Sequence, residues 1–223
     1  TNNNIELIAD GGKCYIKLPK IGKIRLVLPR NRYIGDIVPN GTSILGATVK
    51  KQGDSYTVSL KLETVIKKPE PTNTVFIKEI MAADMGLKLF AVLSSIDHTE
   101  EIENPRWIRK HAKRLRRFQK ALSRKQYDKK THTGSKNWEK EKAKVAREQR
   151  KCANQRKDFQ HKLSLKIADS CTVFVCEDLN ISGMVKNCHL SKEISSAGWG
   201  NFLHMVKYKM ERAGKFSLQV GRF

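Results

Sequence analysis

"KEIMAADMGLKLFAVLSS", residues 78–95, decides how this sequence is read. Apolar residues flank an aspartate, Asp84, in a segment that otherwise has the character of a buried strand. An ionised carboxylate in such a setting is costly unless hydrogen bonds, a partner charge or a metal compensate it. Met85-Gly86-Leu87-Lys88 reads as a tight turn, because glycine tolerates backbone angles that other residues avoid. Phe90 to Ile96 resumes as a second strand, which places Asp84 at the tip of a hairpin. A turn aspartate bonding its own backbone is one explanation of Asp84. A carboxylate with a chemical task is the other, and the rest of the chain bears on the choice.

The chain has 223 residues, enough for one large domain or two small ones, and 39% hydrophobic content can support a core. No apolar run is long enough for a membrane span, and "TNNNIELIAD" lacks the charged head and apolar stretch of a signal peptide. Five cysteines, at 14, 152, 171, 176 and 188, include no CxxC pair. That pattern argues against a disulfide scaffold or zinc site and points to a reducing cytoplasm. The net charge of +22 calls for a polyanionic partner, nucleic acid before membrane. Residues 104–166 hold 23 Lys/Arg against 5 Asp/Glu, so 18 of the 22 net charges lie there. With so few acids to neutralise it, this stretch reads as a nucleic-acid contact rather than a solvated helical face.

Residues 5–66 alternate and turn like a small all-β unit, a barrel or part of one. "ILGATVKKQGDSYTVSLKLET" gives two strands around a Gln52-Gly53-Asp54 turn, with Val58, Leu60 and Leu62 on one face. The proline-bearing "KKPEPTNT", 67–74, is the expected linker, dividing the chain into 1–68 and 69–223. Strands follow around 75–84, 87–96 and 99–103. At "ENPRWIRKHAKRLRRFQKALSRK" a helix starts, with Asn104 as its cap and Pro105 in its first turn. Ile108, Leu115 and Leu122 recur every seven residues with Phe118 beside them. Trp138, Val145, Cys152 and Phe159 do the same after a polar loop. Two such stripes predict an antiparallel helical hairpin over 104–168 whose seams face each other. Its outward faces are nearly solid Lys/Arg, which makes Arg109, Lys113, Arg114, Arg116, Arg117, Lys120, Arg124, Lys144, Arg147, Arg150 and Arg156 the expected nucleic-acid-binding residues.

Residues 171–176 are a continuous apolar run suited to a strand covered on both faces, and its end delivers Glu177 and Asp178. A polar loop is expected over 179–193, a helix over 195–213 ended by Gly214, and a strand at "KFSLQV". The order β-β-β-α-α-β-α-β has the pattern of the ribonuclease H fold, with Asp84 and Glu177 on adjacent central strands. Paired carboxylates there suit two-metal phosphodiester cleavage, which needs hard oxygen ligands around ions roughly 4 Å apart.

"ADMGLKLFAVLS", "ENPRW", the basic arm, "ANQRKDFQHKLS", "VCEDLNISGM" and "AGWGNF" occur in fixed order. In these residues the sequence closely resembles the TnpB (OrfB) proteins of insertion sequences, over nearly its whole length. The resemblance implies an RNA-guided DNA endonuclease with a RuvC-type nuclease domain, related to small type V CRISPR effectors. It implies that Asp84 and Glu177 are the first two catalytic, metal-ligating carboxylates, with Mg²⁺ (or Mn²⁺) as cofactor. Guide RNA and target DNA are the implied partners, in a bacterial or archaeal cytoplasm. The implied fold class is α+β: an OB-like β-barrel "wedge" portion, then an incomplete ribonuclease H-like domain with its basic helical hairpin. Asp178 reads as a structural neighbour, since adjacent strand residues point oppositely. The family continues past "VGRF" with a zinc ribbon of CxxC motifs and a third catalytic aspartate. The sequence is therefore expected to be an internal piece without the family's structural Zn²⁺, and catalytically incomplete. A guide-RNA/DNA-binding remnant that does not cut is the alternative, and a ribosomal-type RNA-binding protein fits the charge but not the carboxylates.

Overall fold

The computed structural model describes residues 4–28, 33–38, 41–52, 55–65, 69–70 and 74–221. Residues 1–67 and 68–223 form two compact units. In the first, β1 (Glu6–Asp10), β2 (Lys13–Leu18) and β3 (Gly22–Leu26) make an antiparallel sheet in sequence order. A single turn α1 (Ile34–Ile37) precedes the hairpin of β4 (Ser43–Gln52) and β5 (Ser55–Glu63). Alternation puts Ile16 and Leu18 into a small core with Ile5, and half-buried Val58 and Leu60 pack against it. The two sheets are not hydrogen-bonded to each other, so the described residues close no barrel. The Gly53-Asp54 turn and residues 67, 68 and 71–73 of the linker lie outside the described residues.

The second unit is built on a five-stranded mixed sheet. After a 3₁₀ turn, Ile77–Glu79, come β6 (Ile80–Met85), β7 (Leu89–Ser94) and β8 (Thr99–Glu103), joined as antiparallel hairpins. The next helix is α2 (Trp107–Ser123), followed by two-residue strands β9 (Tyr127–Asp128) and β10 (Thr133–Gly134). Helix α3 (Lys136–Ser170) leads into β11 (Val173–Glu177). Then α4 (Ile181–Val185), α5 (Ser191–Ala197) and α6 (Trp199–Arg212) precede β12 (Phe216–Val220). The strand order is β12-β11-β6-β7-β8, with β11 parallel to both its neighbours.

One face of this sheet carries the core. Ala83, Met85, Leu93, Phe174 and Cys176 pack with Leu163 and Ile167 of α3 and with Trp199, Phe202, Val206 and Met210 of α6. A bulge between Leu89 and Ala91 sets two residues of β7 against one of β8, and Phe90 is buried there beside Phe159 and Phe202. The opposite face is more open: Ala82 and Asp84 are exposed, Val175 and Glu177 half-buried. Asp84 is therefore not the buried carboxylate that the apolar run suggests. Alternation places it with Ala82 on the open side, while Ala83 and Met85 turn into the core.

The helices differ from expectation in several places. Asn104 is not the cap of α2: Arg106 holds that position in left-handed conformation (φ 50°), and the helix begins at Trp107, after Pro105. Asn104 Oδ1 instead accepts from the Arg106 backbone N–H (3.1 Å), and its Nδ2 donates to the Leu87 carbonyl (3.0 Å) in the β6–β7 turn. Residues 179–193 are not all loop, since Asn180 accepts from the Gly183 N–H (2.9 Å) and starts α4. The helix expected over 195–213 is divided at Gly198, whose φ of +68° ends α5 and opens α6. The 35 residues of α3 span about 52 Å at 1.5 Å per residue. Its first half pairs with α2 as the arm, and its second half lies in the core.

Candidate functional site

The β6–β11 register fixes where the two carboxylates lie. Val173, Phe174, Val175 and Cys176 pair with Ile80, Met81, Ala82 and Ala83. The next residue on each strand is Glu177 and Asp84. They are lateral neighbours on the same, more open face, across a strand spacing of about 4.8 Å. Val92 of β7 lies opposite Asp84 on its other side. Asp178, one residue further, is exposed and its N–H donates to Val220 O (2.9 Å), which ties the end of β11 to β12. Among the described residues no group of three or more His, Cys, Asp or Glu is placed to hold a metal ion. Among the described residues, Asp84 and Glu177 thus set two hard oxygen donors side by side, rather than a closed metal cage.

The cations of the arm sort by helix face. At 100° per residue, Arg109, Lys113, Arg116, Arg117 and Lys120 form one stripe of α2, opposite half-buried Ile108, Leu115, Phe118 and Leu122. Arg109 pairs with Glu193 (Nε–Oε1 3.1 Å), and the Arg117 guanidinium lies 5.4 Å from the Phe118 ring centre. Arg114 lies 3.6 Å from Glu148 and so points partly toward α3. Arg124 caps the end of α2. On α3, Lys144 pairs with Glu141 (2.8 Å) and stays exposed, as does Arg147, while Arg150 is half-buried. Arg156 departs from the expectation. Its Nη1 donates to the carbonyls of Ser195 (3.1 Å) and Ser196 (3.3 Å), at the end of α5. With Gln160, which donates to Ala197 O (2.9 Å) and Gly198 O (3.1 Å), it anchors the α5–α6 elbow.

The seam between α2 and α3 is not purely apolar. His111 contacts Glu148 Oε1 through Nδ1 (2.6 Å) and Gln155 Oε1 through Nε2 (2.7 Å). The His111 hydrogen bond holds the Glu148 carboxyl below the usual range, against the opposing effect of burial and with help from Arg114. A periodic signal was there: His111 lies seven residues before Phe118, and Glu148 seven before Gln155, each three after a stripe residue. But polar side chains at seam positions look like surface until their partner is known. Two supposed seam aromatics lie elsewhere. Phe159 packs edge-to-face on Phe90 (5.1 Å, 86°), and Trp138 stacks on Tyr127 (4.5 Å, 20°).

Comparison with known proteins bears on most of the chain. Residues 61–188 match the OrfB family model, described as "Probable transposase". A Streptomyces pristinaespiralis protein named "Putative RNA-guided DNA endonuclease" is 31% identical over 187 residues, covering 83% of this chain and 43% of the relative. The Escherichia coli K12 protein "Putative RNA-guided DNA endonuclease InsQ" is 26% identical over 209 residues, covering 87% and 47%. The chain spans less than half the length of each. Among solved structures, a Cas12f1–sgRNA–target DNA complex aligns with TM-score 0.42 and 13% identity, over 78% of this chain and 41% of that one. No helix among the described residues is long and apolar enough to cross a membrane. With more than half of its residues matched by the family model, the chain belongs to the OrfB family of insertion-sequence proteins.

Proposed function

We propose that this chain is the carboxylate-bearing and nucleic-acid-gripping part of an RNA-guided DNA endonuclease, with a ribonuclease H-like, RuvC-type second unit. The observation that carries this reading is the β6–β11 register, which makes Asp84 and Glu177 same-face neighbours in a unit that also carries a strongly basic arm. The names of the two relatives support it. Asp84 and Glu177 fit Mg²⁺ or Mn²⁺ by donor chemistry, being adjacent carboxylates reachable from solvent. A divalent cation bound there supplies Lewis-acid activation of a scissile phosphodiester and of its attacking water. The protein's part is to fix the two oxygen donors on a rigid sheet. Asn104 braces the adjoining turn through Leu87 O and at the same time leads into α2. The outward stripes of α2 and α3 bind guide RNA or target DNA through phosphates, while the side chains of the seam hold the two helices together. The first unit contributes an OB-like wedge surface of its own.

Manganese binding tests the carboxylate assignment. In an electron paramagnetic resonance titration, Asp84→Asn and Glu177→Gln should each weaken Mn²⁺ binding, with the fold and nucleic-acid affinity unchanged. Equal Mn²⁺ binding by wild type and both variants refutes the assignment.

A further inference from the structure

The polar segment "RKQYDKKTHTGSK", 124–136, forms the tip of the arm, and its geometry belongs neither to the seam nor to the charged stripes. Strands β9 and β10 are two residues each, with Tyr127 opposite Gly134. So short a ribbon is not stable by itself. The first turn of α3 supports it: Ser135 Oγ accepts from the Trp138 N–H (3.2 Å), and the indole lies against Gly134. A Cβ on Gly134 would come within 2.3 Å of the Trp138 ring, so only glycine admits the ring there. The indole also stacks nearly parallel to Tyr127, with centroids 4.5 Å apart. Tyr127 Oη lies 3.3 Å from His132 Nδ1, and the Lys142 ammonium lies 4.5 Å from the Trp138 centroid.

Tyr127 is thus fixed on one side by Trp138 and at its hydroxyl by His132, yet it remains 37% exposed. Five cations in this segment, Arg124, Lys125, Lys129, Lys130 and Lys136, are all exposed. The one acid, Asp128, is engaged within the turn, accepting from the Lys130 N–H (2.8 Å) and Thr131 Oγ1 (2.9 Å). These bonds hold its carboxyl below the usual range. An aromatic ring held in place, exposed and surrounded by cations is how proteins take up unpaired bases, which stack on the ring while the cations take the phosphates.

We propose that the tip of the arm is a stacking platform on which an unpaired base of a nucleic-acid strand lies against Tyr127. The proposal rests on the reading of the arm as a nucleic-acid surface and adds to it a salt-insensitive, base-dependent contact at one position. The probes are two short duplexes, one blunt and one ending in a single unpaired 2-aminopurine. Wild type should bind the overhang duplex about tenfold tighter than the blunt one, the effect of one base–aromatic stack. The 2-aminopurine emission should fall on binding. Tyr127→Phe should keep both effects. Tyr127→Leu, which still covers Trp138 with apolar surface, should lose both while binding the blunt duplex as wild type does. A wild type with no preference and no quenching overturns the platform, as does a leucine variant that keeps both. Failure of wild type to bind either duplex at low salt overturns the nucleic-acid reading itself, and the platform with it.

Discussion

Removing Lys113, Arg116 and Lys120 together, as K113A/R116A/K120A, isolates the electrostatic role of α2 from its structural one. All three are exposed, lie opposite the seam, and form no ion pair among the described residues. Each phosphate neutralised contributes about 0.9 to the slope of log affinity against log salt on duplex DNA, so three contacts account for about 2.7. Over a fourfold rise in salt, wild type should therefore lose about 40-fold more affinity than the variant. Stability should move the other way. Like charges three and four residues apart on a helix repel by about 0.2–0.5 kcal/mol per pair, so the variant should melt slightly higher. Fluorescence anisotropy across a salt series, beside a thermal melt, reads both quantities. Equal slopes for the two proteins would show that this stripe does not meet phosphates, whatever the absolute affinities.

Two further outcomes test the packing and the seam. Phe202 is fully buried and edge-to-face with Phe90 (5.1 Å, 77°), so Phe202→Ala should cost about 3–5 kcal/mol in urea unfolding. Phe159 is only half-buried, so Phe159→Ala should cost roughly half of that, and equal losses would contradict the assigned burial. Glu148 has its carboxyl lowered by the His111 bond, so its contribution is present above the ordinary carboxylate pKa and is lost as pH falls through the depressed folded value. Melting temperatures should accordingly fall below about pH 4.3 in wild type by an increment that Glu148→Gln lacks, and parallel pH profiles would refute the clasp.

The strands and the helical arm were legible in the sequence because both repeat with a fixed period. What escaped depends on partners. "MAAD" hides the alternation, since two alanines in succession mask which side is core; Ile80, Ala82 and Asp84 share one side and Met81, Ala83 and Met85 the other. Arg156 was readable in principle, because it lies four residues after Cys152 and so on the inner side of α3 rather than with Lys144 and Arg147. Phe159 follows the seven-residue stripe faithfully, yet it lies where α3 meets the sheet, and its partner is Phe90. Short α4 starts from the Asn180 cap and short α5 ends at left-handed Gly198, signals too brief for periodicity to register. The element order already put Asp84 and Glu177 on adjacent strands, but the level at which they meet needed the parallel register of β6 and β11, which no local pattern states.

Guided cleavage tests the central claim most directly. Residues 1–223 joined to the remainder of the Streptomyces relative, supplied with that relative's guide RNA, should cut matching DNA in Mg²⁺. Asp84→Ala or Glu177→Ala should each abolish the cut while leaving guide-RNA affinity unchanged, because neither side chain lies on the basic stripes. Cutting that persists after removal of either carboxylate would contradict the account, and the residue removed would then be an ordinary strand-end carboxylate.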